Sequence, residues 1–256
     1  MQAYDQVISD LGIRASDETS ASHHLAIIRS ATNDGTVITS CRSEFWEALK
    51  YVTKLTEIIN ALKSQPPNEL RKKLNIVLSC KTNEANDVLY ELQLAALFKE
   101  SGFEVSLEEP DIIISGKGLK NKLAIACKNP TSKKQLHDHV SNGYFQINRV
   151  GYQGIVAIET NQLLDLPKKT FEQPPLKEAE NLLTRSVGEW VDERLRNYPS
   201  ENPIDGFLLT YFIDYFYGDP VELSQIRQMT FQCDENNNLF RELKILVDAV
   251  KEAIVK

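Results

Sequence analysis

The chain has 256 residues, of which 42% are hydrophobic and 25% are charged, and its formal net charge is -7. Such a chain can bury the core of one large domain, or of one domain with helical additions. It contains no run of about 18 apolar residues and no apolar segment near the N-terminus, which argues against a membrane span and a signal peptide. The scattered cysteines form no CxxC pair, which argues against a zinc site or a disulfide framework. We therefore expect a cytoplasmic protein that has no membrane partner.

Residues 1–82 are predicted to form a helical accessory region. Apolar residues recur at three- and four-residue steps between residues 44 and 63, which is typical of a helix with one buried face. The pair Pro66-Pro67 ends that helix, and a shorter helix is predicted over residues 70–78.

The pattern changes at residue 83, where helices and strands begin to alternate. A helix is predicted over residues 83–101 and ends at Gly102. Three strands, a helix and a strand follow, over residues 103–107, 111–115, 122–127, 131–150 and 154–159. This order is typical of an α/β fold in which helices flank a mixed central sheet.

The C-terminal part is predicted to be an α/β extension of the same domain. That domain would then span residues 83–256. The extension contains a predicted helix, two strand-like runs and a last helix, over residues 176–197, 206–217, 224–233 and 238–255. Residues 211–217 are rich in aromatic side chains. Sheet core is the favoured interpretation of this run, and a stacking platform for unpaired bases is the alternative.

Four positions between residues 91 and 128 carry the candidate chemistry. Glu91 lies on the apolar face of its predicted helix, where a carboxylate needs a metal, a cation or a hydrogen-bond partner; a salt bridge is the structural alternative. Period-two alternation places Ala126 and Lys128 on one face of their strand. Asp111 begins the neighbouring strand, so its carboxylate can lie close to both.

Two carboxylates and a lysine around one point suit phosphodiester hydrolysis. A hard cation such as Mg²⁺, or Mn²⁺ in its place, takes oxygen ligands and activates bound water, while a lysine stabilises the developing negative charge. The predicted ligands are Asp111, Glu91 and the backbone carbonyl of Cys127.

These residues resemble the PD-(D/E)xK nuclease superfamily, whose members have the restriction-endonuclease-like fold. The resemblance covers residues 83–159, and the matching residues are Glu91, Pro110-Asp111, Ala126-Cys127-Lys128 with Asn129-Pro130 after them, and Gln146. It implies that Asp111, residue 126 and Lys128 form the metal-binding and catalytic set. It also implies that Gln146, on the following helix, supports the site.

Ala126 departs from this pattern, because the superfamily has Asp or Glu at that position. A methyl group there removes a metal ligand, so we expect a Mg²⁺-dependent endonuclease or exonuclease for DNA that is inactive as written. One explanation is an inactivating acid-to-alanine substitution, which we favour because the other elements remain in place. The alternative is a catalytically degenerate subunit that binds nucleic acid or docks an ATPase or helicase. The resemblance and the extra helical regions also suggest an antiviral defence effector in a prokaryote.

Positive charge is concentrated near these positions despite the acidic total. Residues 116–150 contain seven Lys and Arg side chains against one acidic residue, an excess of six positive charges. The predicted nucleic-acid-binding residues are Lys117, Lys120, Lys133 and Lys134. DNA is the expected partner, and homo-oligomerisation is left open.

Overall fold

The structure, a computed structural model, describes residues 23–28, 30, 42–79, 83–132, 134–163, 206–217, 222–233 and 235–254. The chain divides into two compact units, Met1–Glu100 and Ser101–Lys256. The sequence analysis placed the boundary at residue 82 instead. The two boundaries differ by one helix, Asn83–Glu100, which belongs to the first unit and packs there against the two helices before it. Within the described ranges, none of the helices combines the length and apolar character that a membrane span requires.

Helices form the described part of the first unit. They are α1 (Arg42–Leu62), α2 (Pro67–Ser79) and α3 (Asn83–Glu100). Most of the predicted stripe on α1 is buried, since Val52, Leu55 and Ile59 have at most 8% of their surface exposed, whereas Phe45 and Leu49 are half-buried. Pro67 is the first residue of α2. A backbone N–H at this position has no acceptor within the helix, so the missing N–H of proline costs no helical hydrogen bond.

The second unit is built on a six-stranded mixed sheet. Its strands are β1 (Glu104–Ser106), β2 (Ile112–Ser115), β3 (Leu123–Lys128), β4 (Gly154–Glu159), β5 (Phe207–Tyr217) and β6 (Glu222–Gln232). They are ordered in the sheet as in the chain. The pairs β1–β2, β2–β3 and β5–β6 are antiparallel, whereas β3–β4 and β4–β5 are parallel. The predicted α/β class and mixed sheet are therefore confirmed.

Helix α4 (Leu136–Val150) connects the parallel strands β3 and β4 and packs against both. It begins five residues later than the sequence predicted. Residues 131–132 form a bend and residues 134–135 a turn instead, and the side-chain Oε1 of Gln135 accepts hydrogen bonds from the Thr131 N–H at 3.2 Å and the Thr131 hydroxyl at 2.8 Å. The helix ends at Gly151, whose φ of 69° is a left-handed conformation that glycine adopts without strain.

Helix α5 (Asn238–Ile254) packs against β6 and contacts the loop between β2 and β3. The buried carboxylate of Glu242 accepts the backbone N–H of Lys120, with N–O distances of 3.0 and 3.3 Å. In the same loop, Lys117 donates a hydrogen bond from Nζ to the Ser101 carbonyl at 2.5 Å. These bonds attach the β2–β3 loop to the rest of the second unit. The helix predicted over residues 176–197 lies outside the described residues.

Candidate functional site where β2, β3 and α4 meet

One face of β3 packs against α4, and it is the face that alternation predicted for Lys128. A Cβ added to Gly143 of α4 would lie 3.2 Å from Lys128 Cε, and one added to Gly154 would lie 3.2 Å from Ala124 Cβ and 2.5 Å from Ile147 Cγ2. The backbone of α4 therefore lies close to the sheet at Gly143. The stem of Lys128 crosses the helix at this point.

Asp111 closes the end of the β2–β3 ladder with its side chain. Ile112 pairs with Ile125, so continuing the register by one residue places Asp111 opposite Ala126. The Asp111 Oδ2 accepts the backbone N–H of Cys127 at 2.7 Å. This carboxylate thus accepts a hydrogen bond from a backbone N–H that lies just past the last residue pair of the β2–β3 ladder. The sequence analysis did not predict this structural role of Asp111.

Lys128 bridges Asp111 and the helix. Its Nζ lies 3.7 Å from Asp111 Oδ2 and donates a hydrogen bond to Gln146 Oε1 at 2.5 Å. The Lys128 and Asp111 side chains are only 12% and 19% exposed. Asp111, Lys128 and Gln146 form what we call the Asp–Lys–Gln cluster. The structure therefore brings together three of the residues that the sequence analysis selected.

Ala126 is fully buried beside this cluster. It belongs to a hydrophobic core between β3, β4, β5 and α4, together with Val140, Ile147 and Val156. The second carboxylate that the superfamily pattern requires is therefore replaced by a methyl group in an apolar setting.

Glu91 has its positively charged partner within the first unit. It lies on α3, is 5% exposed, and forms an ion pair with Lys73 of α2. This is the structural alternative that the sequence analysis considered, and it satisfies the requirement for a cation. A metal-binding role for Glu91 stays a prediction.

The donor atoms around Asp111 fit a divalent cation poorly. Asp111 supplies one carboxylate and Cys127 a backbone carbonyl, but residue 126 supplies no oxygen, and the Lys128 ammonium lies 3.7 Å from Asp111 Oδ2. Among the described residues there is no group of three or more His, Cys, Asp and Glu side chains that could hold a metal ion. Cations such as Mg²⁺ favour several oxygen ligands and no neighbouring positive charge. The residues around Asp111 therefore do not supply the ligand set that a metal-dependent step requires.

The lysines predicted to bind nucleic acid do not all lie near the Asp–Lys–Gln cluster. Lys117 and Lys120 are in the loop before β3, whereas Lys128 is the last residue of that strand. Five strand steps separate the two ends by about 16 Å. Lys134 is exposed in the segment after β3, on the side of Lys128, and Lys133 lies outside the described residues. The positive charge is thus divided between two ends of the sheet and does not surround one point.

The sequence analysis missed two features beside the cluster, which are the burial of Asn129, a residue that the resemblance already included, and the ion pair of Arg149. Asn129 is 5% exposed, and its Oδ1 has no hydrogen-bond partner within the described structure. The sequence signal was a polar Asn-Pro pair directly after an apolar strand. Arg149 of α4 lies 3.6 Å from Glu109, two residues before Asp111, and both side chains are largely exposed. This ion pair joins α4 to the segment that leads into β2.

The aromatic run of β5 is partly core. Tyr211 is 5% exposed, and burial raises the pKa of its hydroxyl to about 12. Phe212 is half-buried, and its backbone exchanges two hydrogen bonds with the side chain of Asn161. The favoured prediction for this run, sheet core, is confirmed at Tyr211. The side chains of residues 213–217 lie outside the description.

Comparison with known proteins finds no family model, no curated protein and no solved structure that matches the chain. The fold and the cluster therefore define a class rather than a family. This is an α/β protein whose mixed sheet carries a largely buried Asp–Lys–Gln cluster at the end of β3.

Proposed function

We propose that the second unit is a nuclease-type domain of the PD-(D/E)xK kind, with a restriction-endonuclease-like core, that binds DNA and, as written, does not cut it. The observation that carries the proposal is the position of the Asp–Lys–Gln cluster. Asp111 stands at the start of β2, Lys128 at the end of β3, and Gln146 reaches Lys128 from the following helix. The resemblance implies this order and this placement.

In this proposal Lys128 is the group that meets the phosphodiester. Its ammonium is held from two sides, by Gln146 Oε1 at 2.5 Å and by Asp111 Oδ2 at 3.7 Å. A lysine that is fixed in this way provides a positioned positive charge for a phosphate oxygen, with less side-chain entropy to lose on binding. Asp111 is oriented in turn by the Cys127 N–H.

In this proposal the residue at position 126 determines whether the domain only binds DNA or also cleaves it. An acid there would stand opposite Asp111, where cross-strand Cβ atoms are about 5 Å apart, so both carboxylates could contact one cation. A Mg²⁺ ion bound in that way would polarise the phosphate and activate a water molecule. Ala126 offers no such oxygen, which supports binding without hydrolysis.

The test is the Ala126→Glu variant with Mg²⁺ or Mn²⁺ on single-stranded and double-stranded DNA. We expect no cleavage by the chain as written, metal-dependent cleavage by Ala126→Glu, and no cleavage by the isosteric Ala126→Gln variant. Adding Lys128→Met to Ala126→Glu should reduce the rate about 100-fold, since a positioned charge is worth that much in a transition state. Circular dichroism and thermal unfolding would establish that each variant is folded.

Two results would contradict the proposal in different ways. If Ala126→Glu is folded and binds DNA but cleaves neither substrate with either metal, the nuclease reading fails and a binding subunit remains. If the chain as written binds neither single-stranded nor double-stranded DNA in a filter-binding assay at low salt, the nucleic-acid function itself is rejected.

A further inference from the structure

The outer face of α4 exposes two aromatic rings. Phe145 is 59% exposed and Tyr152, in the turn after the helix, is 42% exposed; they are the large hydrophobic side chains found exposed among the described residues. Elsewhere α4 is amphipathic, with Leu136, Val140 and Ile147 buried against the sheet. Phe145 lies outside this buried stripe, so burial in the core does not explain it.

Positive side chains lie between and beside these rings. Arg149 follows Phe145 by one helical turn and is 74% exposed. Lys122, just before β3, places its Nζ 5.9 Å from the centre of the Tyr152 ring. Asn142, Phe145 and Arg149 follow each other at steps of three and four residues, which places them along one side of the helix, and Tyr152 follows in the turn after Gly151. The acidic groups near this row are Asp138, one turn before Asn142, and Glu109, which pairs with Arg149.

The chemistry of this row fits unpaired bases better than an apolar protein surface. A helix that docks in an apolar groove presents apolar anchors at steps of three and four residues. Here flat rings alternate with an amide and a guanidinium, and each ring has a cation close to it, Arg149 one helical turn after Phe145 and Lys122 beside Tyr152. Every base presents a flat π face that stacks on an aromatic ring, while Arg and Lys attract the phosphates.

We propose that this row, Phe145, Arg149 and Tyr152 with Lys122, is a binding surface for single-stranded nucleic acid. Phe145 and Tyr152 each stack on a base, and Arg149 and Lys122 contact the phosphates around them. From Phe145 to the end of the helix at Val150 the rise is about 8 Å, which is the length of about two stacked bases at 3.4 Å each, and Tyr152 follows in the turn. The surface therefore reads a short unpaired segment and no particular sequence.

This inference rests on the proposed nucleic-acid function and specifies its substrate class. Gln146, which holds Lys128, is the neighbour of Phe145 on α4. Arg149 reaches the loop that leads to Asp111 through its contact with Glu109. A strand on the row would thus pass alongside the Asp–Lys–Gln cluster. A phosphate at Arg149 would compete with Glu109 for the guanidinium.

The experiment measures fluorescence anisotropy of a fluorescein-labelled twelve-nucleotide oligo-dT with the full chain at low salt. We expect Phe145→Ala and Tyr152→Ala each to weaken binding by about fivefold to hundredfold, the range for loss of one stacked base. Tyr152→Phe keeps a ring and should bind as the parent does. Phe145→Leu keeps an apolar side chain without a ring and should be nearly as weak as Phe145→Ala.

A matched pair of arginines tests the role of charge. Arg149→Ala should weaken binding and flatten its salt dependence, whereas Arg241→Ala, which removes an exposed arginine from α5, should do neither. An oligonucleotide with abasic sites should bind the parent about as weakly as dT binds the Phe145→Ala/Tyr152→Ala variant. Both rings are exposed, so these substitutions should leave folding unchanged, which thermal unfolding would check.

Three results would overturn the inference while leaving the proposed function intact. They are undiminished dT binding by Phe145→Ala/Tyr152→Ala, equal binding of abasic and dT oligonucleotides, and a preference for a duplex over the single strand. Full binding by Phe145→Leu would point to a general apolar contact, as in a protein interface, and would also reject stacking. Cleavage by Ala126→Glu is measured separately, so failure there leaves this inference standing.

Discussion

The contact between Lys128 and Asp111 is open to a quantitative test. The two charges are 3.7 Å apart with side chains that are 12% and 19% exposed. At an effective dielectric constant of about 20 such charges attract by about 4 kcal/mol, and desolvation of both reduces the net coupling to about 1 to 2 kcal/mol. Replacing Lys128 with Met also removes the donor to Gln146, so we expect that single substitution to lower the free energy of unfolding by about 2 kcal/mol.

A double-mutant cycle isolates the coupling. Asp111→Asn keeps an oxygen that can accept the Cys127 N–H, and Lys128→Met keeps most of the stem that passes Gly143. Urea unfolding of both single variants, the double variant and the parent provides the four free energies, and we expect the double variant to be more stable than additivity predicts. The pair Arg149–Glu109 is the control, because its distance is nearly the same, 3.6 Å, but its side chains are 74% and 56% exposed. Its coupling should not exceed about 0.5 kcal/mol.

The two cycles should also respond differently to salt. About 0.5 M NaCl should remove the coupling of the exposed pair and leave most of that of Lys128 and Asp111, because partly buried charges are screened less. Additive effects at Lys128 and Asp111, or a coupling equal to that of the exposed pair, would refute the argument that burial makes this contact strong.

Two further predictions concern packing and pH. A Cβ at Gly154 would lie 2.5 Å from Ile147 Cγ2 and 2.7 Å from the Ala124 carbonyl oxygen. Gly154→Ala should therefore lower the free energy of unfolding by about 3 kcal/mol. A loss below about 1 kcal/mol in urea unfolding would contradict this packing. Burial lowers the pKa of the His24 imidazole, and the neighbouring His23 lowers it further, so the folded state disfavours protonation of His24. Stability should therefore fall as pH drops below about 6.5, and His24→Phe should reduce that fall; equal slopes for parent and variant between pH 7 and 5 would show otherwise.

Local periodicity was sufficient to predict much of the second unit. Alternation in β3 placed Ala126 and Lys128 on one face, and the structure packs that face against α4. Gln146, which bonds Lys128, was selected by the resemblance and not by periodicity, whereas the helix that carries it was predicted from its apolar pattern. These features depend on residues a few positions apart. A repeat of two or of 3.6 residues is enough to orient them.

Contacts that depend on the path of the chain were not predictable in this way. The lysines at 117 and 120 are close to Lys128 in sequence, yet an intervening strand carries them to the other end of the sheet. The partner of Glu91 is Lys73, on a separate helix 18 positions earlier. The bond from the Cys127 N–H to Asp111 depends on where the β2–β3 ladder stops, and alternation alone does not specify that residue.

Helix α4 connects the two proposals physically. Its inner side positions Lys128 through Gln146, and its outer side presents Phe145. Both depend on how closely α4 approaches the sheet, which Gly143 and Gly154 permit. A Cβ at Gly143 would lie 3.0 Å from Val156 and 3.2 Å from Lys128, so it would push the helix away from the sheet and displace the lysine. Substitutions under the helix should therefore alter the Asp–Lys–Gln cluster and the outer row at once, whereas Phe145→Ala should alter the outer row alone. If the first kind of substitution affects both features and Phe145→Ala affects only the outer row, the inner and outer sides of α4 have different functions.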